Sequence, residues 1–151
     1  MNALKRQMME INQLCSESDG LYHDIAQKHG LSDSIYWILY ILYNSDSPVS
    51  QTELCGDWFY SKQTVNSAIS AMVKKGWISL ETIPKTRNRK KVVLTEAGRL
   101  FGKEVIGGTY ELEKAAFSRI SEEDREQFLK LFRMTNEYMR EEYEKRYACP
   151  K

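Results

Sequence analysis

The 151-residue chain has 42% hydrophobic and 28% charged side chains and a formal net charge of +1, an ordinary balance for one globular domain with a real core. It has no apolar run long enough to span a membrane and no signal peptide's apolar core with a small-residue cleavage site. Its three cysteines are too widely spaced for a disulfide framework, so a cytoplasmic protein is expected. The near-neutral average hides a segregation: residues 1–61 hold 3 basic and 8 acidic side chains, 62–103 hold 10 and 2, and 104–151 hold 9 and 11. A positive middle between acidic flanks is the footprint of a polyanion-binding surface.

In chain order, Leu4, Met8, Ile11, Cys15, Ser18, Tyr22 and Ile25 fall at alternating steps of four and three, a heptad-like seam on a long helix that Gly30 stops. Such a seam packs either on its own subunit or on a partner. Ser32 and Asp33 offer N-caps for a second helix over 34–45, apolar nearly all round through Ile35, Trp37, Ile38, Leu39, Ile41 and Leu42, and therefore buried. Tyr36, Tyr40 and Tyr43 line one stripe of it, as core aromatics or as the wall of a small-molecule pocket. Residues 44–48 are a turn cluster.

Ser50-Gln-Thr-Glu53 is a capping box that starts a short helix ending near Gly56. Asp57-Trp-Phe-Tyr60 then reads as a tight aromatic turn, and Ser61 caps a second helix running to Gly76. Val65, Ile69, Met72 and Val73 form its buried stripe. Its other side carries Lys62, Gln63, Asn66, Ser67 and Ser70, with Lys74 at the far end and Ser61 and Thr64 at the start. Hydrogen-bonding side chains with no acid among them suit the reading of base edges in a major groove. Helix, turn and second helix is the helix-turn-helix order.

Two β-prone runs follow, Trp77, Ile78, Leu80 and Ile83, then Val92, Val93 and Leu94. Between them Lys85, Arg87, Arg89, Lys90 and Lys91, together with Asn88, load the tip of a wing. Crowding five cations into seven residues is repulsive unless a polyanion is bound; arginine suits a narrow minor groove, and both cations contact phosphates. Thr95-Glu-Ala-Gly98 opens a long helix toward Ile120, interrupted by Gly102, Gly107 and Gly108, with a bend expected at the last two where another backbone approaches. Ser121 caps a last helix with an apolar stripe of Phe128, Leu131, Phe132, Thr135, Tyr138 and Met139. The fold expected is mainly α with a small β-wing: a winged helix-turn-helix lobe over 32–98, with dimerisation helices over 1–30 and 100–147.

An enzyme is disfavoured, because the two histidines lie in the N-terminal third and neither a phosphate loop nor a nucleophile, base and orienter set is visible. A winged-helix protein-interaction adaptor would have little reason to keep 62–103 so positive, and a non-specific architectural DNA binder would have no preferred site.

The stretches SQTEL, SKQTVNSAISAMVKKGWI and KVVLTEAG resemble the MarR family of bacterial transcription regulators over most of the chain. The resemblance implies a homodimer on a pseudo-palindromic operator, usually a repressor, with recognition helices in major grooves and wings over minor grooves. It further implies modulation by small phenolic or lipophilic ligands, by oxidation or by metal. The family's wing often carries Asp-x-Arg; here Lys85-Thr86-Arg87 keeps the arginine without its acid. Ser67 stands where many members have arginine, which shifts base readout toward Gln63, Asn66 and Ser67.

Three switches are conceivable. Cys15 invites an oxidant-sensing reading, although Asp19 one turn on opposes a lowered thiol pKa. Cys15, Asp19 and His23 share a face as part of a transition-metal site, but spread over two turns they are too dispersed to close one, so no metal is expected. Cys55 reads as core and Cys149 as part of a disordered tail. Ligand control is preferred, with Tyr22, Tyr36, Trp37 and Tyr40 as aromatic walls for a small effector; no cofactor is expected.

Overall fold

The computed structural model describes residues 2–56, 61–83 and 90–147. The aromatic turn at 57–60, the wing tip at 84–89 and the tail with Cys149 lie outside the described residues. The elements are α1 (Ala3–Lys28), α2 (Asp33–Asn44), β1 (Val49–Ser50), α3 (Gln51–Gly56), α4 (Lys62–Lys74), β2 (Ile78–Thr82), β3 (Lys90–Leu94), α5 (Glu96–Phe117) and α6 (Glu122–Tyr147). The chain divides into two compact units, Met1–Thr109 and Tyr110–Lys151, with α5 running through the boundary. Among the described residues no helix is long and apolar enough to cross a membrane.

The caps of the first unit were legible in the sequence. Ser32 accepts from the Ile35 amide to start α2, and Gly30 at φ 67° lets the chain leave α1 in the left-handed region that glycine occupies without strain. Tyr36, Ile38, Leu39 and Leu42 of α2 are buried, and Ala26, Leu54, Val65, Ala68, Ile69, Met72, Ile78, Val92, Leu94, Val105 and Ile106 join them in one core. Tyr22 and Ile25 pack against that core, whereas Leu4, Met8, Ile11 and Cys15 of the α1 seam are exposed.

The wing has three antiparallel strands in the order β1-β3-β2, not two. Val49 pairs with Val92, and Ile78 and Leu80 pair with Leu94 and Val92, so the alternate residues Ile78, Val92 and Leu94 close the core. At two residues β1 is too short to show a period-two pattern, which is why the sequence reading passed over it.

Two further expectations are corrected. α5 is one unbroken helix through Gly102, Gly107 and Gly108. The close approach falls at Gly98, where a Cβ would collide with the Trp77 carbonyl oxygen, and at Gly102, whose face is covered by Tyr43; nothing lies within 4 Å of a Cβ at Gly108. Val73 is 42% exposed, because the buried stripe of α4 follows Val65, Ala68, Ile69 and Met72 and Val73 falls one residue past it.

In the second unit, the Ser121 hydroxyl accepts from the Asp124 amide at 3.1 Å and so caps α6. Glu122, Glu123 and Asp124 fill the first turn, favourably for the helix dipole. Arg125 donates to the Phe117 and Ile120 carbonyls, bracing the turn between α5 and α6. No α6 residue is buried: Phe128, Leu131, Phe132, Tyr138 and Met139 all face outward, with Phe128 stacked on Phe132.

Candidate nucleic-acid interface

The site is built on α4. Ser61, extended at ψ 148°, accepts from the Thr64 amide at 3.1 Å and shares a 2.8 Å hydrogen bond with the Thr64 hydroxyl, so both hydroxyls serve the cap. With Val65, Ala68, Ile69 and Met72 held in the core, geometry sends the remaining positions outward. Lys62, Gln63, Asn66, Ser67, Ser70 and Lys74 are all exposed, as the amphipathic pattern requires, and Thr64 is half-buried. α4 contains no acidic residue, so nothing on the helix itself repels a phosphate.

α3, the helix before it in the chain, starts on its capping box: the Ser50 amide donates to Glu53 Oε2 at 2.6 Å, and the Glu53 amide to Ser50 Oγ at 3.2 Å. Hydrogen bonding to the carboxylate from Ser50, by its hydroxyl first and its amide second, holds the Glu53 carboxyl below its ordinary pKa of 4.5, and the charge of Lys91 adds to the effect.

Of the wing residues, Lys90 and Lys91 open β3 opposite Thr82 and Glu81. Lys90 is exposed and Lys91 half-buried, with Lys91 also opposite Ser50 of β1. Lys85, Arg87, Asn88 and Arg89 lie outside the described residues.

The four candidate pocket residues do come together. Trp37 is the centre, its ring 5.0 Å from Tyr22, 5.2 Å from Tyr36 and 5.5 Å from Tyr40, edge-on to Tyr36 and Tyr40 and tilted to Tyr22. Tyr36 is fully buried and its hydroxyl donates to Thr109 Oγ1 at 3.1 Å; Thr109 in turn donates to the Val105 carbonyl. Thr109, a buried polar link between α2 and α5, was missed because one threonine in a helix carries no signal of a partner 73 residues away.

Among the described residues no three His, Cys, Asp or Glu side chains gather as ligands. His23 instead meets Asp33 at 2.8 Å, joining α1 to the first turn of α2. Cys55 is half-buried against the core.

Residues 29–87 match the model of the MarR family. The fold is also found in solved structures at low identity. A MarR family regulator from Neisseria meningitidis superposes with a TM-score of 0.80 at 19% identity, over 97% of this chain and 99% of that one. Staphylococcus aureus MepR in its DNA-binding conformation gives 0.74 at 19%, over 85% and 98%. Staphylococcus aureus MarR in complex with salicylate and kanamycin gives 0.73 at 18%, over 92% and 94%. No match is found among curated proteins.

Proposed function

We propose that this chain, whose residues 29–87 match the model of the MarR family, is a dimeric, sequence-specific transcriptional repressor that acts on a pseudo-palindromic operator in the cytoplasm. The observation that carries the reading is the outer face of α4. Gln63 and Asn66 offer the amide donor–acceptor pairs that suit adenine, Ser67 and Ser70 adapt to either partner, and Lys62 and Lys74 supply charge at both ends of an acid-free helix. Lys85, Arg87, Asn88, Arg89, Lys90 and Lys91 extend the contact to phosphates and a neighbouring minor groove.

Two-fold operators require a two-fold protein. The outward apolar residues of α1 (Leu4, Met8, Ile11) and of α6 (Phe128, Leu131, Phe132, Met139) supply the surface for a second copy, so 1–30 and 100–147 are assigned to dimerisation and 32–98 to DNA. Effector control follows from the cluster of Tyr22, Tyr36, Trp37 and Tyr40, whose aromatic character matches a small aromatic or lipophilic ligand; a solved relative was captured with salicylate. Such a ligand acts only through different affinities for the DNA-competent and DNA-incompetent states.

The test is selection of duplexes from a random pool, followed by affinity for the winner and for its scrambled counterpart at several salt concentrations. A two-fold-symmetric winner with half-sites about one helical turn apart, bound far more tightly than scrambled DNA, is expected. Weak and equal binding that falls steeply with salt would reduce the site to a basic patch.

A further inference from the structure

We propose that Thr95 is a positioning residue for base reading, because it ties the exit of the recognition helix to the start of α5 and so sets the angle at which α4 meets DNA. The inference rests on the DNA-reading function proposed above. α4 ends at its cap, Lys75, and Gly76 at φ 71° turns the chain away, leaving the Gly76 and Trp77 carbonyls outside the helix's own hydrogen bonding.

Thr95 collects both. Its hydroxyl donates to the Gly76 carbonyl at 2.6 Å and accepts from the Gly98 amide at 3.0 Å, using its one proton and a lone pair at once. Its own amide donates to the Trp77 carbonyl at 3.0 Å. One side chain therefore caps α5 and fastens α4.

Neighbouring contacts tighten the joint. Gly98 admits the Trp77 carbonyl to a distance that any Cβ would forbid. The Trp77 indole stacks on Phe101, 4.3 Å between centroids and 12° from parallel, and Lys75 Nζ lies 5.1 Å from the centre of the Trp77 ring.

Among the described residues the apolar stripe also holds α4, but apolar burial is non-directional, whereas hydrogen bonds fix angles. That difference predicts a split. Bidentate amide contacts from Gln63 or Asn66 tolerate little tilt, but a lysine reaches phosphate as a flexible point charge. Loosening Thr95 therefore erodes sequence preference and spares non-specific binding.

Thr95→Val keeps the β-branched shape and removes both hydroxyl bonds; Thr95→Ser keeps them. The readouts are affinity for the selected duplex, affinity for its scrambled form with its salt slope, and amide hydrogen exchange at Gly76, Trp77 and Gly98. Thr95→Val is expected to lose about ten-fold in preference for the selected duplex, with scrambled-DNA affinity and salt slope unchanged and exchange at the joint accelerated. Thr95→Ser restores the preference. A Thr95→Val protein with wild-type preference, one that loses both DNAs in proportion, or a Thr95→Ser protein that fails equally would overturn the proposal. If the wild type prefers no sequence, the proposed function falls by itself; unchanged exchange at Gly76 and Trp77 in Thr95→Val then overturns the joint as well, and accelerated exchange upholds it.

Discussion

Tyr43 lies against α5 so closely at Gly102 that a Cβ there would stand 2.7 Å from its ring. The obstacle is an aromatic carbon next to the ring's attachment, which cannot swing aside like the end of a flexible chain. Alanine normally gains about 1 kcal/mol over glycine inside a helix, but an overpacked contact costs about 1–3 kcal/mol. Gly102→Ala is therefore expected to destabilise the protein, read as a lower denaturant midpoint at fixed protein concentration. Gly108→Ala, with open space around it, is expected to raise stability by about 0.5–1 kcal/mol in the same assay. A loss there would instead reveal a second chain's backbone against Gly108.

The Tyr36 hydroxyl is the polar tip of a fully buried ring, and Thr109 receives its proton. Tyr36→Phe removes the donor while leaving Thr109 its own bond to the Val105 carbonyl. The expected loss is that of one net hydrogen bond, about 1 kcal/mol, measured by urea unfolding with the slope unchanged.

The elements legible from sequence were those whose signals are local. Ser32, Ser50, Ser61 and Ser121 all accept from the amide three residues on, as their positions before apolar-periodic runs foretold. The exposed face of α4 was legible for the same reason: burying Val65, Ile69 and Met72 leaves Gln63, Asn66 and Ser70 nowhere else to go. What escaped depends on distant chain. β1 exists because β3 offers Val92 to Val49, and Gly98 is needed because Trp77, twenty-one residues earlier, brings its carbonyl there. The glycines of α5 were seen, yet nothing local distinguishes Gly98 and Gly102, which meet neighbours, from Gly108, which does not.

Glu53 ties its capping box to pH. Its carboxyl titrates below the ordinary 4.5 in the folded protein, so the unfolded chain takes up the proton first as pH falls. The box contributes in full above pH 4.5 and loses its contribution as pH drops through the lowered folded value. Glu53→Gln is expected to have a lower urea midpoint than wild type near neutrality. The gap should close well below pH 4.5, where both side chains are neutral; a gap independent of pH would show that the charge on Glu53 adds nothing. The effect is small, since the carboxylate sits in solvent.

Asn66 and Lys74 lie two turns apart on the exposed side of α4, and their chemistry assigns them different jobs. An amide presents a donor and an acceptor in one plane and discriminates bases; an ammonium offers charge without direction. Asn66→Ala is expected to cost about 1–3 kcal/mol on the selected duplex and to relax the preference at one base pair in each half-site, with little change on scrambled DNA. Lys74→Ala is expected to weaken both DNAs alike and to reduce the slope of log affinity against log salt by about 1 per subunit. Titrating each variant against both duplexes at several salt concentrations separates the two roles. Should Asn66→Ala behave as Lys74→Ala does, α4 contacts only phosphates, and base reading must be sought on the wing.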